Sequence, residues 1–339
     1  MVLIFSSQKT LLLPILNLNS YPYPKQESIF MTINELITNF GGKPVVDWNP
    51  GDNLTNPAET CFRISLSYEA EQEGEEWPDL LSKFLENPEA SQVYGIVVGN
   101  WGEMYTGTEA GFVAGALESA CEYLPNLKAL FLGDVTYEEC EISWILQTNI
   151  TPTLQAYPNL EHLGVRGGSG LSLGSIRHEH LKSLTIQTGG LNASVVRAVT
   201  AADFPELEHL ELWLGTENYG ATTELVDLAP LFSGRLFLKL KYLGLRNSDF
   251  TDLIATTIAQ SPLLERLEIL DLSLGTLGDE GANALLKSPL TARLRFLDLH
   301  HHYCSDVMME QLKALGIEMD LSDAQGECDQ DDRYVEVGE

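Results

Sequence analysis

Leu267-Glu-Ile-Leu270-Asp-Leu272-Ser-Leu274-Gly-Thr-Leu277-Gly-Asp-Glu-Gly281-Ala-Asn-Ala284-Leu285-Leu286-Lys-Ser-Pro289 spells a strand, a turn and a helix in succession. Leu267, Leu270 and Leu272 follow an L-x-x-L-x-L pattern, which predicts a short strand with its leucines on the core side. Leu277 closes the turn. From Asp279 to Lys287, Ala282, Leu285 and Leu286 recur at helical spacing. One such unit cannot bury its apolar side alone. It needs copies of itself on both sides.

The copies are present. The pattern begins at Leu127, Leu160, Leu181, Leu207, Leu240, Leu267 and Leu294, after a degenerate version at Val93-x-x-Ile96-x-Val98. Each clear copy has apolar residues three and five positions on, and seven such matches do not arise by chance. Successive starts lie 33, 21, 26, 33, 27 and 27 residues apart. The 27-residue steps suit a strand–helix repeat. The 33-residue steps hold insertions, including 134–157 with Trp144 inside it. The 21-residue step, which contains Gly167-Gly-Ser-Gly170, leaves little room for a helix. Residues 306–315 read as the last helix, and Ile317, Met319 and Leu321 as a capping strand. The fold class is α/β: a leucine-rich repeat solenoid of strand–helix units.

At 339 residues and 44% hydrophobic, the chain can bury one long core. Its 49 acidic residues against 20 basic ones give a net charge of -29. A field of that sign opposes nucleic acid and anionic membrane, and favours solubility and cationic partners. The five cysteines are odd in number, scattered and without a C-x-x-C pair. That argues against a disulfide framework or thiolate zinc site, and for a cytoplasmic location. No run approaches the roughly 20 apolar residues of a membrane span.

Residues 1–30 differ from the rest, with the apolar run Leu11 to Leu16 broken by Pro14. They read as a segment upstream of a true start at Met31, with an imperfect secretory signal as the other reading. Residues 31–90 form an N-terminal capping region. It opens on a capping box, Thr32-Ile-Asn-Glu35, that predicts a helix through about Phe40, closed by Gly41-Gly42. A strand is expected at 61–68, then a solvated acidic loop (Glu69, Glu71, Glu73, Glu75, Glu76). A helix carrying Trp77, Leu80, Leu81, Phe84 and Leu85 follows. Residues 91–321 are the repeats. Residues 322–339 read as an acidic, disordered tail, with docking through Arg333-Tyr334-Val335 as the alternative.

With its leucine strands and Leu277-Gly-Asp-Glu-Gly-Ala-Asn-Ala-Leu285, the chain resembles ribonuclease-inhibitor-like leucine-rich repeat proteins over about residues 90–321. More narrowly, residues 31–339 resemble a bacterial leucine-rich-repeat family of undefined function. The likeness is carried by Pro44-Val-Val-Asp-Trp48, Cys140-Glu-Ile-Ser-Trp144, Gln187-Thr-Gly-Gly190, Glu211-Leu-Trp-Leu-Gly-Thr216, Leu243-Gly-Leu-Arg-Asn247 and Asp298-Leu-His-His-His-Tyr303. The resemblance implies a horseshoe, with a parallel sheet on the concave face and helices on the convex face, and supplies no catalytic residues.

Side chains alternate across a strand, and equivalent positions on neighbouring strands stack about 4.8 Å apart. If the leucines point inward, three columns face the concave side. One reads Gly133, Arg166, Gln187, Trp213, Arg246, Ser273, His300. The next reads Phe131, Gly164, Thr185, Glu211, Gly244, Asp271, Asp298. The third reads Ala129, His162, Ser183, His209, Tyr242, Ile269, Phe296. Aromatic residues and arginine are the types that anchor interfaces. Arg166, Gln187, Glu211, Trp213, Tyr242, Arg246, Asp271, Phe296, Asp298 and His300 are therefore the expected binding surface for a protein or peptide. The competing reading is that these residues satisfy one another, Arg246 with Asp271 for example.

The alternative function is a metal protein or enzyme at the His300/His302 end, with Asp271 and Asp298. There, alternation puts His300 and His302 on one face, and a second pair, His178 and His180, lies a few strands away. No phosphate-binding glycine loop, nucleophile elbow or H-E-x-x-H stands in the sequence, so no catalytic residue, metal ligand or cofactor is assigned.

Overall fold

The computed structural model describes residues 35–326 and 329–338. Twelve strands form one sheet in strict chain order. The elements run β1 (Asn39–Phe40), β2 (Lys43–Asp47), β3 (Cys61–Ile64), α1 (Tyr68–Gln72), α2 (Trp77–Leu85), β4 (Gly95–Val98), α3 (Gly111–Ser119), β5 (Ala129–Leu132), α4 (Thr151–Ala156), β6 (His162–Arg166) and β7 (Ser183–Gln187). They continue with α5 (Ala193–Ala201), β8 (His209–Gly215), α6 (Leu225–Phe232), β9 (Tyr242–Ser248), α7 (Thr251–Ile258), β10 (Ile269–Asp271), α8 (Asp279–Lys287), β11 (Phe296–Asp298), α9 (Asp306–Lys313) and β12 (Glu318–Asp320). β1 pairs with β2 antiparallel; every later pair is parallel.

The leucine pattern sets the register. Leu130, Leu163, Leu184, Leu210, Leu243, Leu270 and Leu297 are aligned strand to strand, and each is at most 1% exposed. Full burial of one such side chain is worth roughly 1.5–3 kcal/mol over exposure, so this row alone is a large stabilising term. One continuous hydrophobic cluster runs from Trp48 to Leu312. Neighbouring helices pack side by side along most of the array, α7 with α8 and α8 with α9 among them. The short step between β6 and β7 holds no helix; isolated bridges at Ser169, Ser172 and Arg177 carry the chain across. No helix among the described residues is long and apolar enough to cross a membrane. Cys61, Cys121, Cys140 and Cys304 are free thiols.

Three local expectations are corrected. The helix through Phe40 does not form over the described residues, and Thr32 to Asn34 lie outside them. Asn39–Phe40 is a strand, because Gly41 and Gly42 (φ 57° and 74°) make the left-handed turn of a tight hairpin rather than a helix cap. The strand expected at 61–68 stops at Ile64, and the acidic stretch opens on helix α1. Ser67 Oγ accepts from the amide of Ala70, and Glu69 and Glu71 favour the positive end of that helix. The acidic tail is not disordered over 329–338: Val335 and Val337 are buried against the body. The proposed start at Met31 and the reading of residues 1–30 lie outside the described residues.

Candidate functional site

The concave columns are aligned as the repeat spacing requires. Arg166 lies opposite Gln187, Trp213 opposite Arg246, His209 opposite Tyr242, Ile269 opposite Phe296, and Asp271 opposite Asp298. Their burial divides the face in two.

Over β3–β6 the face is closed. Phe131, Cys61, Val97 and Ala129 pack with Ile37, Phe40, Val45 and Tyr94, so the segment before β2 folds down onto the sheet. Phe40 meets Phe131 edge-on at 5.4 Å. Asp134 Oδ1 accepts from the Ile37 amide at 3.2 Å and Asp134 Oδ2 from Arg63 Nε at 2.8 Å. Arg166, 2% exposed, reaches the same carboxylate at 3.5 Å, donates to Val135 O at 2.6 Å and donates to Gln187 Oε1 at 3.0 Å. Burial depresses the Arg166 guanidinium pKa, and Asp134, shared with Arg63, does not restore it. Arg166 and Gln187 are thus internal connectors here.

Over β8–β10 the candidates assemble into one network. Arg246 lies between Glu211 (3.4 Å) and Asp271 (3.3 Å) and donates to Ser273 Oγ at 2.9 Å. Its guanidinium sits 5.1 Å from the Trp213 ring centre, and Trp213 Nε1 donates to Glu211 Oε1 at 2.7 Å. Tyr242 donates to Asp271 at 2.7 Å or Glu211 at 3.2 Å, and stacks on His209 with ring centres 3.9 Å apart.

Burial opposes every charge in this cluster. For Glu211, Arg246 with His209 and Trp213 overcomes it and holds the carboxyl at about 2. For Asp271, burial wins with help from Asp298 and Glu211, and the pKa is raised despite Arg246. For Arg246, burial is outweighed by Asp271 and Glu211, and the pKa is raised. Burial, then Asp271, also raises Tyr242. The residues do satisfy one another, Arg246 with Asp271 included, and form a mutually bonded polar floor.

At β11 the face opens. Phe296, Asp298 and His300 are only partly buried, as are Ile269 and His209. His300 Nδ1 lies 2.6 Å from Asp298 Oδ1. Burial opposes the His300 charge, but Asp298 outweighs it and raises the pKa. Asp298, His300 and Asp320 bring one ligand atom each to within 4.8 Å of one another, a donor set able to hold a divalent cation.

His302 does not join them. It is fully buried, its Nδ1 accepts from the Cys304 amide at 3.1 Å, and its Nε2 donates to Leu321 O at 3.2 Å. Burial lowers its pKa. The alternation that pairs His300 with His302 fails because strand pairing ends at Asp298 and His301 turns into the left-handed region at φ 57°. His178 is likewise taken by Tyr157 O, at 3.1 Å.

Sequence reasoning missed what lies just beyond the strand ends. Asn247, Leu274, His301 and Asp323 occupy one repeat position in four successive repeats, and all four are non-glycine residues at positive φ (54°, 63°, 57° and 57°). Residues 333–338 run across the first three. Asn247 Nδ2 donates to Val337 O at 2.5 Å and its Oδ1 accepts from the Val337 amide at 2.9 Å. Leu274 O accepts from the Glu336 amide at 2.9 Å. His301 Nδ1 lies 2.7 Å from Glu336 and 3.1 Å from Asp323, and its Nε2 is 3.2 Å from Tyr334 O. Val337 packs with Ile142, Trp213 and Leu274. The alternative of docking through Arg333-Tyr334-Val335 anticipates the segment itself; the track that receives it was not read from the sequence.

The chain is similar to a crystal structure of a Bacteroides fragilis protein solved as a structural-genomics target. The two are 35% identical, the match covers 81% of this chain and 76% of that one, and the TM-score is 0.75. An internalin from Listeria monocytogenes also aligns, over 85% of this chain and 82% of that one, at 14% identity and a TM-score of 0.35. No family model and no curated protein matches the chain.

Proposed function

The chain belongs to the same family as the Bacteroides fragilis protein, and from that premise and the geometry of its sheet we propose that it is a non-catalytic recognition module. It takes a protein or peptide on the open part of its concave face, in a reducing, cytoplasmic setting. The repeats are of the ribonuclease-inhibitor type in this reading, supported by the 27-residue strand–helix steps. The observation that carries the reading is the step from floor to rim. Glu211, Trp213, Tyr242, Arg246 and Asp271 are locked to one another, and beside them Ile269, Phe296, Asp298 and His300 are partly open. A pre-organised floor costs a partner little ordering entropy on binding. Asp298 and Asp320 at that rim favour a partner carrying lysine or arginine against an aliphatic or aromatic contact. Arg166 and Gln187 contribute by holding the sheet and its lid together.

The test is affinity capture from the host lysate, comparing wild type with Phe296→Ala/Asp298→Lys after circular dichroism shows both folded. A protein held by wild type in a salt-sensitive way and lost from the variant supports the reading. Equal capture by both sinks it.

A second reading follows from the convergence of Asp298, His300 and Asp320: the rim holds a divalent cation. Titration calorimetry with zinc and manganese, on wild type and His300→Ala, separates the two. Stoichiometric binding lost in the variant favours the cation, and no heat in either removes it.

A further inference from the structure

We propose that the track of Asn247, Leu274 and His301, with the pocket beside Trp213, is a peptide-binding site whose occupant in this chain is its own residues 333–338. An extended peptide of the same pattern on a partner takes that place in trans. The pattern is an arginine, then three residues on a glutamate followed by valine and glycine. This goes beyond the sheet-face reading, because the contacts are made by the column after the strands.

The occupant is held as peptides are held: main-chain bonds for affinity and side-chain pockets for specificity. The main-chain bonds involve Asn247 in both directions, Leu274 O, His301 and the Tyr303 hydroxyl, which accepts from the Tyr334 amide at 3.0 Å. Four positions read side chains. Arg333 donates to Asp252 Oδ2 at 3.0 Å and Thr276 O at 3.1 Å. Glu336 pairs with His301. Val337 fills the pocket of Ile142, Trp213 and Leu274. At 338 a Cβ would stand 2.4 Å from the Tyr219 ring, so a larger residue would have to push that ring aside.

Two observations mark the segment as a ligand on the body. Val337 belongs to a small cluster separate from the main core, and that core closes at Leu312 without it. The positive-φ backbone recurs at one repeat position, and three of its four residues, Asn247, Leu274 and His301, bond the segment. A bulky leucine held there calls for an explanation in function. Its carbonyl, turned toward the Glu336 amide, supplies one.

The experiment titrates a fluorescent peptide, Arg-Tyr-Val-Glu-Val-Gly-Glu, and a scrambled control into the full chain by anisotropy. The variants are Val337→Asp, which releases the cis segment and leaves the track intact, and Val337→Asp/Asn247→Ala. Val337→Asp should bind the peptide about ten-fold or more tighter than wild type, because the competing occupant is gone. Adding Asn247→Ala should remove the gain, and the scrambled peptide should bind none of them. A folded Val337→Asp chain with no gain overturns the proposal. So does a Val337→Asp chain that has lost its native circular dichroism, since the segment is then part of the fold. Sedimentation of wild type should show no dimer that Val337→Asp abolishes. Such a dimer would assign the track to the tail of a second copy and overturn the proposal.

Discussion

Arg166 and Arg246 occupy the same repeat position three strands apart, are equally buried, and are held in opposite ways. Arg166 shares Asp134 with Arg63, so burial prevails and its pKa falls. Arg246 has Glu211 on one side and Asp271 on the other, and its pKa rises. At the first, two arginines share one buried carboxylate that also fastens a lid. At the second, a surplus of anion is tied down by one cation. One repeat position thus serves a closed end and an open end of the same sheet, and what decides is the carboxylates on the flanking strands.

The comparison breaks most visibly if the arginine is removed. Arg246→Met leaves two carboxylates buried without their counter-ion and should cost about 3–5 kcal/mol. Arg166→Met leaves Asp134 with Arg63 and forfeits hydrogen bonds from a charged donor, about 1.5–3 kcal/mol. Urea unfolding at neutral pH, with unchanged slope, measures both; equal losses would dissolve the distinction.

Glycines at the next column give a smaller contrast. A Cβ at Gly164 would stand 2.2 Å from the Phe131 ring, which Phe40 holds down, so Gly164→Ala should cost about 1–3 kcal/mol. At Gly244 the nearest atoms, the Tyr242 hydroxyl and Glu211 Cγ, lie 3.0 and 3.1 Å away. There a small push is offset by lost unfolded-state entropy, and Gly244→Ala should fall within about 1 kcal/mol of wild type. The midpoints of thermal unfolding would rank the two.

The smallest effect concerns pH. Both ring nitrogens of His301 face acceptors: Glu336 and Asp323 at Nδ1, Tyr334 O at Nε2. Burial opposes the charge, but Glu336, Tyr334 O and Asp323 outweigh it and the pKa is raised. A raised histidine contributes its full stabilisation below its unfolded pKa and loses it as pH climbs through the folded value. Glu336 is lowered, first by its bond with His301, and loses its share as pH falls through its own folded pKa. Protection factors of the Glu336 and Val337 amides, corrected for intrinsic exchange, should therefore be highest in mildly acidic solution and decline above neutrality. His301→Asn should flatten that decline.

Much of this was legible in the residues. The leucine rows fix strand order and register, and with them the columns that bring Glu211, Arg246 and Asp271 together, because periodicity is a local property of the chain. Two things were not. Closure of the sheet by its ends depends on contacts such as Ile37 with Asp134 and Asn247 with Val337, between residues 97 and 90 positions apart. No repeat pattern records such pairs. The histidine run was misread for a local reason: alternation assumes extended backbone, and at His301 the backbone turns left-handed. His301, in the middle of the run, meets the C-terminal segment, and His302 is core.

The segment over the strand ends also changes how the molecule should come apart. A repeat array couples only neighbours, so it tends to fray one unit at a time from an end. Residues 333–338 tie Asn247, Leu274 and His301 together, three successive repeats, and reach back to Trp213 in a fourth and Ile142 in a fifth. A tie across five units adds long-range coupling to a one-dimensional system. The repeats it spans should then open as a single cooperative block, while those before them retain the gradual unfolding of a solenoid.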